Sequence, residues 1–546
     1  MNTLAKHPNQ NISTPFFIAL TLMAMSLPLS VFMMSLMQFI LLGFWAYEGY
    51  HDFTDFKQKS RSIPQWIWFP FLNARNKIYS FRNNKIALLI FSVYLMHLLG
   101  LFFTNDFLLA KDDLRTKLPI LVLTLVIASS KPLNKTQFNS LLIFYIAAVL
   151  SGTFFGFHKF MGQNFTDVRE LSVFIHPIRL GLNICFSVFL LIYFIYKNEF
   201  ESLYANILFF VAIIWLIYFM ILMESGMGLF TLFIISIGLL IYYTLKIKSI
   251  IKYLYFALIL LIPFFIFLYI NKIITEFNAK PELKFNELTF NTALGNPYIH
   301  DTLTYGVEDG RFVGLYICEK ELKNAWNTRS NFDFEGDDKN GQELKRTLIR
   351  FLTSLDLPKD SLGISQLSDE YIQAIERGIA NIRYLENPGI KTRIHKFLIG
   401  YQNYVKNNNP SGNPLIQRFE YWKAGIQIIK NNFWTGVGTG DIKSEFLKYY
   451  EINNSNLSIE DRRVSHNQYL SFMISFGMFG LIWFLFTLYY PFTCKSVRKD
   501  YYYIIFISIV LISMLSNDTL IDQAGISHFA FFNALLLFGR KSKKQQ

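Results

Sequence analysis

Apolar blocks of membrane length alternate with short polar connections over the first 271 residues, and again after residue 466. Crossing about 30 Å of hydrocarbon takes roughly 20 predominantly apolar residues. Twelve runs approach that length: 14–29, 31–47, 86–104, 117–130, 138–157, 178–197, 204–223, 226–244, 252–271, 467–492, 501–515 and 524–539. The first two are nearly fused at Ser26-Leu-Pro-Leu-Ser30, which predicts a tight turn or hairpin. One polar stretch, 272–466, separates the ninth run from the tenth. The pattern predicts an all-α polytopic membrane protein of about twelve transmembrane helices, with a large, mainly helical loop between helices 9 and 10. Its divisions are 1–271, 272–466 and 467–546, the last ending in a basic tail.

Within the loop the periodicity changes. Residues 296–318 hold two β-prone runs around Val-Glu-Asp-Gly (307–310), a hairpin signal. From 341 to 405 apolar residues recur at three- and four-residue spacing, as in helices. After the breaker Asn-Asn-Asn-Pro-Ser-Gly-Asn-Pro (407–414), a further helix carries Leu415, Phe419, Trp422, Ile426 and Ile429 in one stripe. Arg418 borders that stripe. A cation beside an apolar stripe suits a helix at the membrane interface reaching lipid phosphate; an ordinary solvated arginine is the plainer alternative.

Lysine and arginine in the short connections set orientation. Lys57, Lys59, Arg61, Arg75, Lys77, Arg82 and Lys85 crowd 48–85, and 245–251, 493–500 and the tail are also basic. The opposite short loops are poor in both residues. Both termini are therefore expected in the cytoplasm and the large loop in the periplasm. The net charge of +13 is largely this signal and does not indicate nucleic-acid binding. The polar N-terminus followed by two apolar runs does not read as a cleavable signal peptide. Cys185, Cys318 and Cys494 fall in three different compartments and predict neither a disulfide nor a metal site.

Two short motifs follow the Arg418 helix. Gly-Val-Gly-Thr-Gly-Asp (436–441) lacks the Lys-Ser/Thr of a phosphate-binding loop. It reads as a glycine turn, with Asp441 capping the next helix. Ser465-His466-Asn467-Gln468 fits a capping box, with Ser465 as N-cap and His466 at the first helical position. A helix start favours anions and disfavours the imidazolium, so His466 is expected to be neutral and able to accept a proton. A capping or interface histidine is the alternative.

The sequence RFEYWKAGIQIIKNNFWTGVGTGD (418–441) followed by SHNQYLSFMISFGMFGLIWF (465–484) resembles the signature of the O-antigen ligase and O-antigen polymerase family of bacterial membrane glycosyltransferases. An Arg-x-x-x-Trp helix, a Gly-x-Gly turn and a His-Asn step into a Gly-rich transmembrane helix recur there in this order. The likeness covers 226–492 by motif and the rest by topology, and the enlarged loop resembles versions found in Bacteroidota. It implies a polyprenyl-diphosphate-linked glycan donor. The acceptor would be a sugar hydroxyl on the lipid A core for a ligase, or on a lipid-linked glycan for a polymerase, with the ligase favoured. It further implies a bacterial inner-membrane location, membrane lipids as neighbours, and no cofactor, metal or nucleic acid. His466 would be the general base and Arg418 would stabilise the leaving diphosphate. Trp422 and Asn467 would complete the site. The family's Ser-Arg step is broken here, because Ser225 is followed by Gly226. Arg179, beside His176 at a helix end, is expected to supply the missing charge or else to snorkel to headgroups. The charged step Lys-Asp-Asp-Leu-Arg (111–115) reads as a loop. A twelve-helix transporter or lipid-linked oligosaccharide flippase is the rival of another class, although its helices would be expected to divide six and six. A membrane-anchored binding protein would not need twelve spans.

Overall fold

The computed structural model describes residues 13–48, 65–162, 168–279, 282, 286, 288–339, 341–386, 389–410 and 413–541. The polar N-terminus, the orientation residues Lys57, Lys59 and Arg61, Ser411 and Gly412 of the breaker, and the basic end 542–546 lie outside them. The described chain is mainly helical. Seven helices are long and apolar enough to cross a membrane: Lys85–Phe103, Lys135–Gly162, Pro177–Lys197, Leu203–Leu222, Gly226–Leu245, Ile251–Asn278 and Gln468–Thr493. Four shorter apolar helices are Thr14–Leu29, Val31–Tyr47, Tyr501–Met514 and Gln523–Phe538. At 1.5 Å per residue each is roughly 20–25 Å long, less than the hydrocarbon thickness. The first two meet at Ser30, whose hydroxyl accepts from the Met33 amide at 3.2 Å and so caps the second.

The run expected to begin at 117 belongs to a longer helix, Phe107–Ser129. Lys111–Arg115 is therefore helical and not a loop step. Asp106 caps this helix by accepting from Leu109 N at 3.0 Å. Lys117 ion-pairs with Asp113 and His97 Nδ1 lies 3.0 Å from the same carboxylate, which lets the two charges sit inside packed helices. Pro177–Lys197 is central, with 78% of its span buried, whereas Ile251–Asn278 lies at the periphery with 6%.

The loop holds two cores of its own. The first gathers Trp326, Phe334, Leu348, Leu352, Ile364 and Ile375. Beside it are two short antiparallel pairs, Ile299–Asp301 with Gly314–Ile317 and Val307–Glu308 with Arg311–Phe312. The turn at Asp309-Gly310 has φ of 51° and 73°, the left-handed pair that a two-residue type I′ hairpin requires. The second core joins Tyr421, Ala424, Ile428, Phe446 and Tyr450 to Ile474. Residues on both sides of position 466 share it, so the start of the Gln468–Tyr489 helix is packed on the loop's last two helices.

Candidate functional site

The Pro414–Asn431 helix begins with a proline at its first position, and the Asn413 side chain accepts from Leu415 N (3.0 Å) and Ile416 N (3.3 Å). It has two apolar faces. Tyr421, Ala424 and Ile428 are buried in the loop's second core, Ile416 is buried beside them, and Leu415, Phe419 and Ile426 are exposed. The stripe read from the sequence is thus mainly the outward face, with Ile429 alone turned to the core. Arg418 sits half-buried between the two faces. Among the described residues no carboxylate lies within ion-pair distance of it. Burial, and then the nearby Arg393, push its pKa down.

The glycine segment after this helix does structural work inside the Gln468–Tyr489 helix. That helix is broken at Gly477, whose φ is 64° and ψ −165°. Val437 N donates to Ile474 O at 2.8 Å, Gly438 N to Ser475 O at 2.9 Å, and Met478 N to Phe433 O at 2.8 Å. Backbone groups released by the break are therefore satisfied by the inserted loop. The approach is close enough that a Cβ on Gly477 would lie 2.1 Å from Trp434 O, and one on Gly436 2.3 Å from the Ser475 carbonyl carbon. Asp441 does not cap its own helix, contrary to the sequence expectation. Its carboxylate accepts from Asn105 N (2.9 Å), Asn105 Nδ2 (2.8 Å) and Asp106 N (2.8 Å), fastening the segment to the 104–106 turn.

The capping box also resolves differently. Asn467 is the N-cap, accepting from Tyr469 N (3.0 Å) and Leu470 N (3.2 Å), and Gln468 reaches away to accept from Leu520 N at 2.6 Å. Ser465 lies one turn outside the helix. Its hydroxyl accepts from Asn467 N (3.2 Å) and bonds Ser471 Oγ (2.8 Å), which donates to Asp518 at 2.6 Å. His466 is consequently not helical. Its φ is 46°, a left-handed conformation that costs a non-glycine residue on the order of 1 kcal/mol. The turn is held by the bonds on either side of it.

His466 packs its ring 5.6 Å from that of Tyr421. Burial lowers its pKa to about 4, and Arg418, Arg463, His176 and Arg179 lower it in that order. The neutral imidazole expected from the sequence is thus supported, by desolvation and cationic neighbours and not by a helix dipole. Asp518 is the counterweight. Burial raises its carboxyl to about 6 against the opposing effects of Ser471, Arg179 and the His466 amide. One of its oxygens, Oδ2, is buried without a hydrogen bond among the described residues.

The other expected site residues are placed unevenly. Arg179 is buried at 4% exposure and engaged: Nη2 and Nε meet Asp522 Oδ2 at 2.8 and 3.1 Å, and Nη2 donates to Asp518 O at 2.9 Å. Its Nη1 is buried with no hydrogen-bond partner among the described residues, and Arg179 lines a cavity of about 10 Å³, near the smallest space that admits one water. His176 caps the Pro177–Lys197 helix through Nδ1. Asn467 also donates to Leu515 O at 2.8 Å. Trp422, one turn after Arg418, has Nε1 buried and unbonded among the described residues. Ser225 is buried, its hydroxyl packed against Gly181 and Gly228. Beside it stands a residue the sequence did not single out. The guanidinium of Arg393, from the Ile390–Asn407 helix, lies over Gly226, where a Cβ would meet Cζ at 2.8 Å, and donates to Glu224 O. Glu224 in turn accepts from Gly389 N at 2.9 Å. Among the described residues no group of three or more His, Cys, Asp or Glu side chains gathers as metal ligands.

Residues 364–485 match a family model described as O-antigen ligase. This segment is similar to the O-antigen ligase family. No curated protein matches the chain. The matched segment takes in Arg393, the Arg418 helix, the glycine segment, His466 and most of the broken helix. Arg179, Ser225 and Asp518 lie outside it. The match covers residues 364–485 of 546, and the seven long apolar helices among the described residues fit a multi-pass membrane protein. Asp518 and Asp522 were legible only as part of a loop poor in basic residues, although two carboxylates between apolar helices are a signal in themselves. Arg393 had no signal, because only folding brings it to Gly226.

Proposed function

We propose that the protein transfers a glycan from a polyprenyl-diphosphate donor to an acceptor sugar hydroxyl, at the periplasmic face of a bacterial inner membrane with both termini cytoplasmic. The observation that carries this reading is a neutral histidine among arginines: His466 beside Arg418, Arg463 and Arg179. A neutral imidazole can take a proton while the cations bind a multiply charged anion. Arg418 and Arg393 lie close enough to perturb one another; that repulsion is relieved when a diphosphate binds between them.

His466 takes the proton of the acceptor hydroxyl as its oxygen attacks the anomeric carbon. The bond from that carbon to the diphosphate oxygen breaks, and its electron pair leaves with the diphosphate, stabilised by Arg418 and Arg393. The proton then passes from His466 to water. A single displacement inverts the anomeric configuration and uses no metal. Arg179 acts on His466 through its field and through its hold on Asp518 and Asp522. His176, Asn467, Trp422 and Ser225 shape the surrounding turn and helix starts.

The acceptor favoured is the lipid A core; a polymerase would use the same chemistry on a lipid-linked repeat. The helix break at Gly477, a feature that transporters use for substrates, is closed here by the glycine segment and supports the enzyme over the transporter. Replacing His466 by Ala in proteoliposomes with lipid-linked donor and purified acceptor is expected to reduce transfer by on the order of 10²–10⁴-fold. Full transfer by that variant at normal protein level would refute the assignment. In cells lacking the protein, polymer left lipid-linked indicates a ligase, and single-repeat caps indicate a polymerase.

A further inference from the structure

A second, larger cavity lies where the end of the Ile251–Asn278 helix meets the loop. Its volume is about 330 Å³. Phe277 forms an apolar floor, and Glu276, Asp309, Arg383, Lys391 and His395 line the walls. Each charge there is already opposed. Lys391 Nζ lies 2.9 Å from Glu276, Arg383 Nη1 3.0 Å from Asp309, and His395 Nε2 2.8 Å from the same Asp309 oxygen. An anion such as phosphate would have to displace a carboxylate to bind. A sugar would not, because each hydroxyl both donates and accepts, so it can bridge paired ions while a C–H face rests on Phe277.

The walls are also pre-set. The Asp309-Gly310 turn is fixed by its hairpin and by Asn381 Nδ2, 3.1 Å from Asp309. His395 is 1% exposed, with Nδ1 2.9 Å from the Tyr384 hydroxyl. Its Nε2, 2.8 Å from Asp309, holds the ring at the cavity wall. Groups held this way bind without the cost of ordering mobile side chains.

The position of the cavity gives it meaning. Lys391 and His395, four residues apart on the Ile390–Asn407 helix, face it. Arg393 lies between them and, at 100° per residue, points the other way, over Gly226 and toward Arg418. One helix, about 10 Å across, thus separates the cavity from the cationic pair.

We propose that this cavity is a saccharide subsite holding part of the acceptor glycan while a neighbouring sugar presents its hydroxyl to His466. This deepens the glycan-transfer reading and rests on it. The test is binding of two soluble probes to the full-length protein in lipid nanodiscs: dephosphorylated core oligosaccharide released from the cells' own lipopolysaccharide, and inorganic pyrophosphate. Wild type is expected to bind both. Lys391→Ala, a partly exposed position, and Ala279→Trp, which fills the rim, are expected to weaken the oligosaccharide on the order of tenfold, as loss of a few sugar contacts does. Both should leave pyrophosphate binding unchanged and raise the acceptor KM without moving the donor KM. Arg418→Ala should do the reverse. Equal oligosaccharide affinity in wild type and both cavity variants, or no oligosaccharide binding by wild type, overturns the subsite. Transfer that still depends on His466 in either case leaves the glycan-transfer reading standing; loss of that dependence overturns the reading itself.

Discussion

Two arginines flank His466, and they are built for different ends. Arg179 is buried at 4% exposure and satisfied on two sides by Asp522 and the Asp518 carbonyl. Arg418 is half-buried, has no carboxylate within ion-pair distance among the described residues, and is pushed by Arg393. A buried cation with its counter-ion is a structural joint, whereas a partly exposed cation held near another cation is a place for an anion. On the proposed function, Arg418 would meet the substrate and Arg179 would belong to the frame around His466.

Substituting each arginine tests that assignment most strongly. Arg418→Ala is expected to lower kcat/KM on the order of 10²–10³-fold, as loss of one charge-stabilising donor does, with thermal unfolding in detergent nearly unchanged. Arg179→Ala is expected to act first on stability, by roughly 2 kcal/mol or more, because it leaves the Asp518 carbonyl and the Asp522 carboxylate without their partner. A variant pair with these two phenotypes exchanged would break the comparison.

Acid titration sharpens it further. Because His466 ionises at about 4 in the folded protein, the acid limb of kcat/KM against pH should fall near 4 and not near the usual 6.5. For stability the histidine and the aspartate oppose each other. Between pH 6.5 and about 4 the unfolded chain protonates His466 first, so the histidine makes the fold less stable as pH drops. Asp518, raised to about 6, binds its proton more tightly in the folded state, so its contribution is present at low pH and is lost as pH rises through 6. Asp518→Asn removes the second term and should steepen the fall of melting temperature below pH 6. An unaltered slope would show that the carboxyl is not shifted.

The smallest effect concerns the turn. Asn467→Ala should cost about 1 kcal/mol as a lost N-cap, and Ser465→Ala less, since its hydroxyl bonds the turn from outside the helix. The opposite order in melting experiments would restore Ser465 as the cap.

The candidate site was legible in part. His466 and Arg418 stood out because their neighbours in sequence are also their neighbours in space: a helix start, an aromatic stripe, a glycine turn. The cap moved from Ser465 to Asn467 because both residue types can cap, and the choice was made by Ser471 and Asp518, 6 and 53 residues beyond Ser465. Asp441 likewise left its own helix for amides more than 300 residues away. Local rules could not foresee either, since both outcomes satisfy the same local hydrogen-bond demand.

By itself the sequence determined the apolar blocks, the helical loop and the order of the three motifs, because these depend on hydrophobicity, periodicity and short-range spacing. Tertiary structure decided which cations face His466 and made it neutral. Burial and electrostatics act through space, and only the packed helices bring Arg393 over Gly226, enclose Arg179 with Asp522 and leave Arg418 with no carboxylate in ion-pair distance among the described residues.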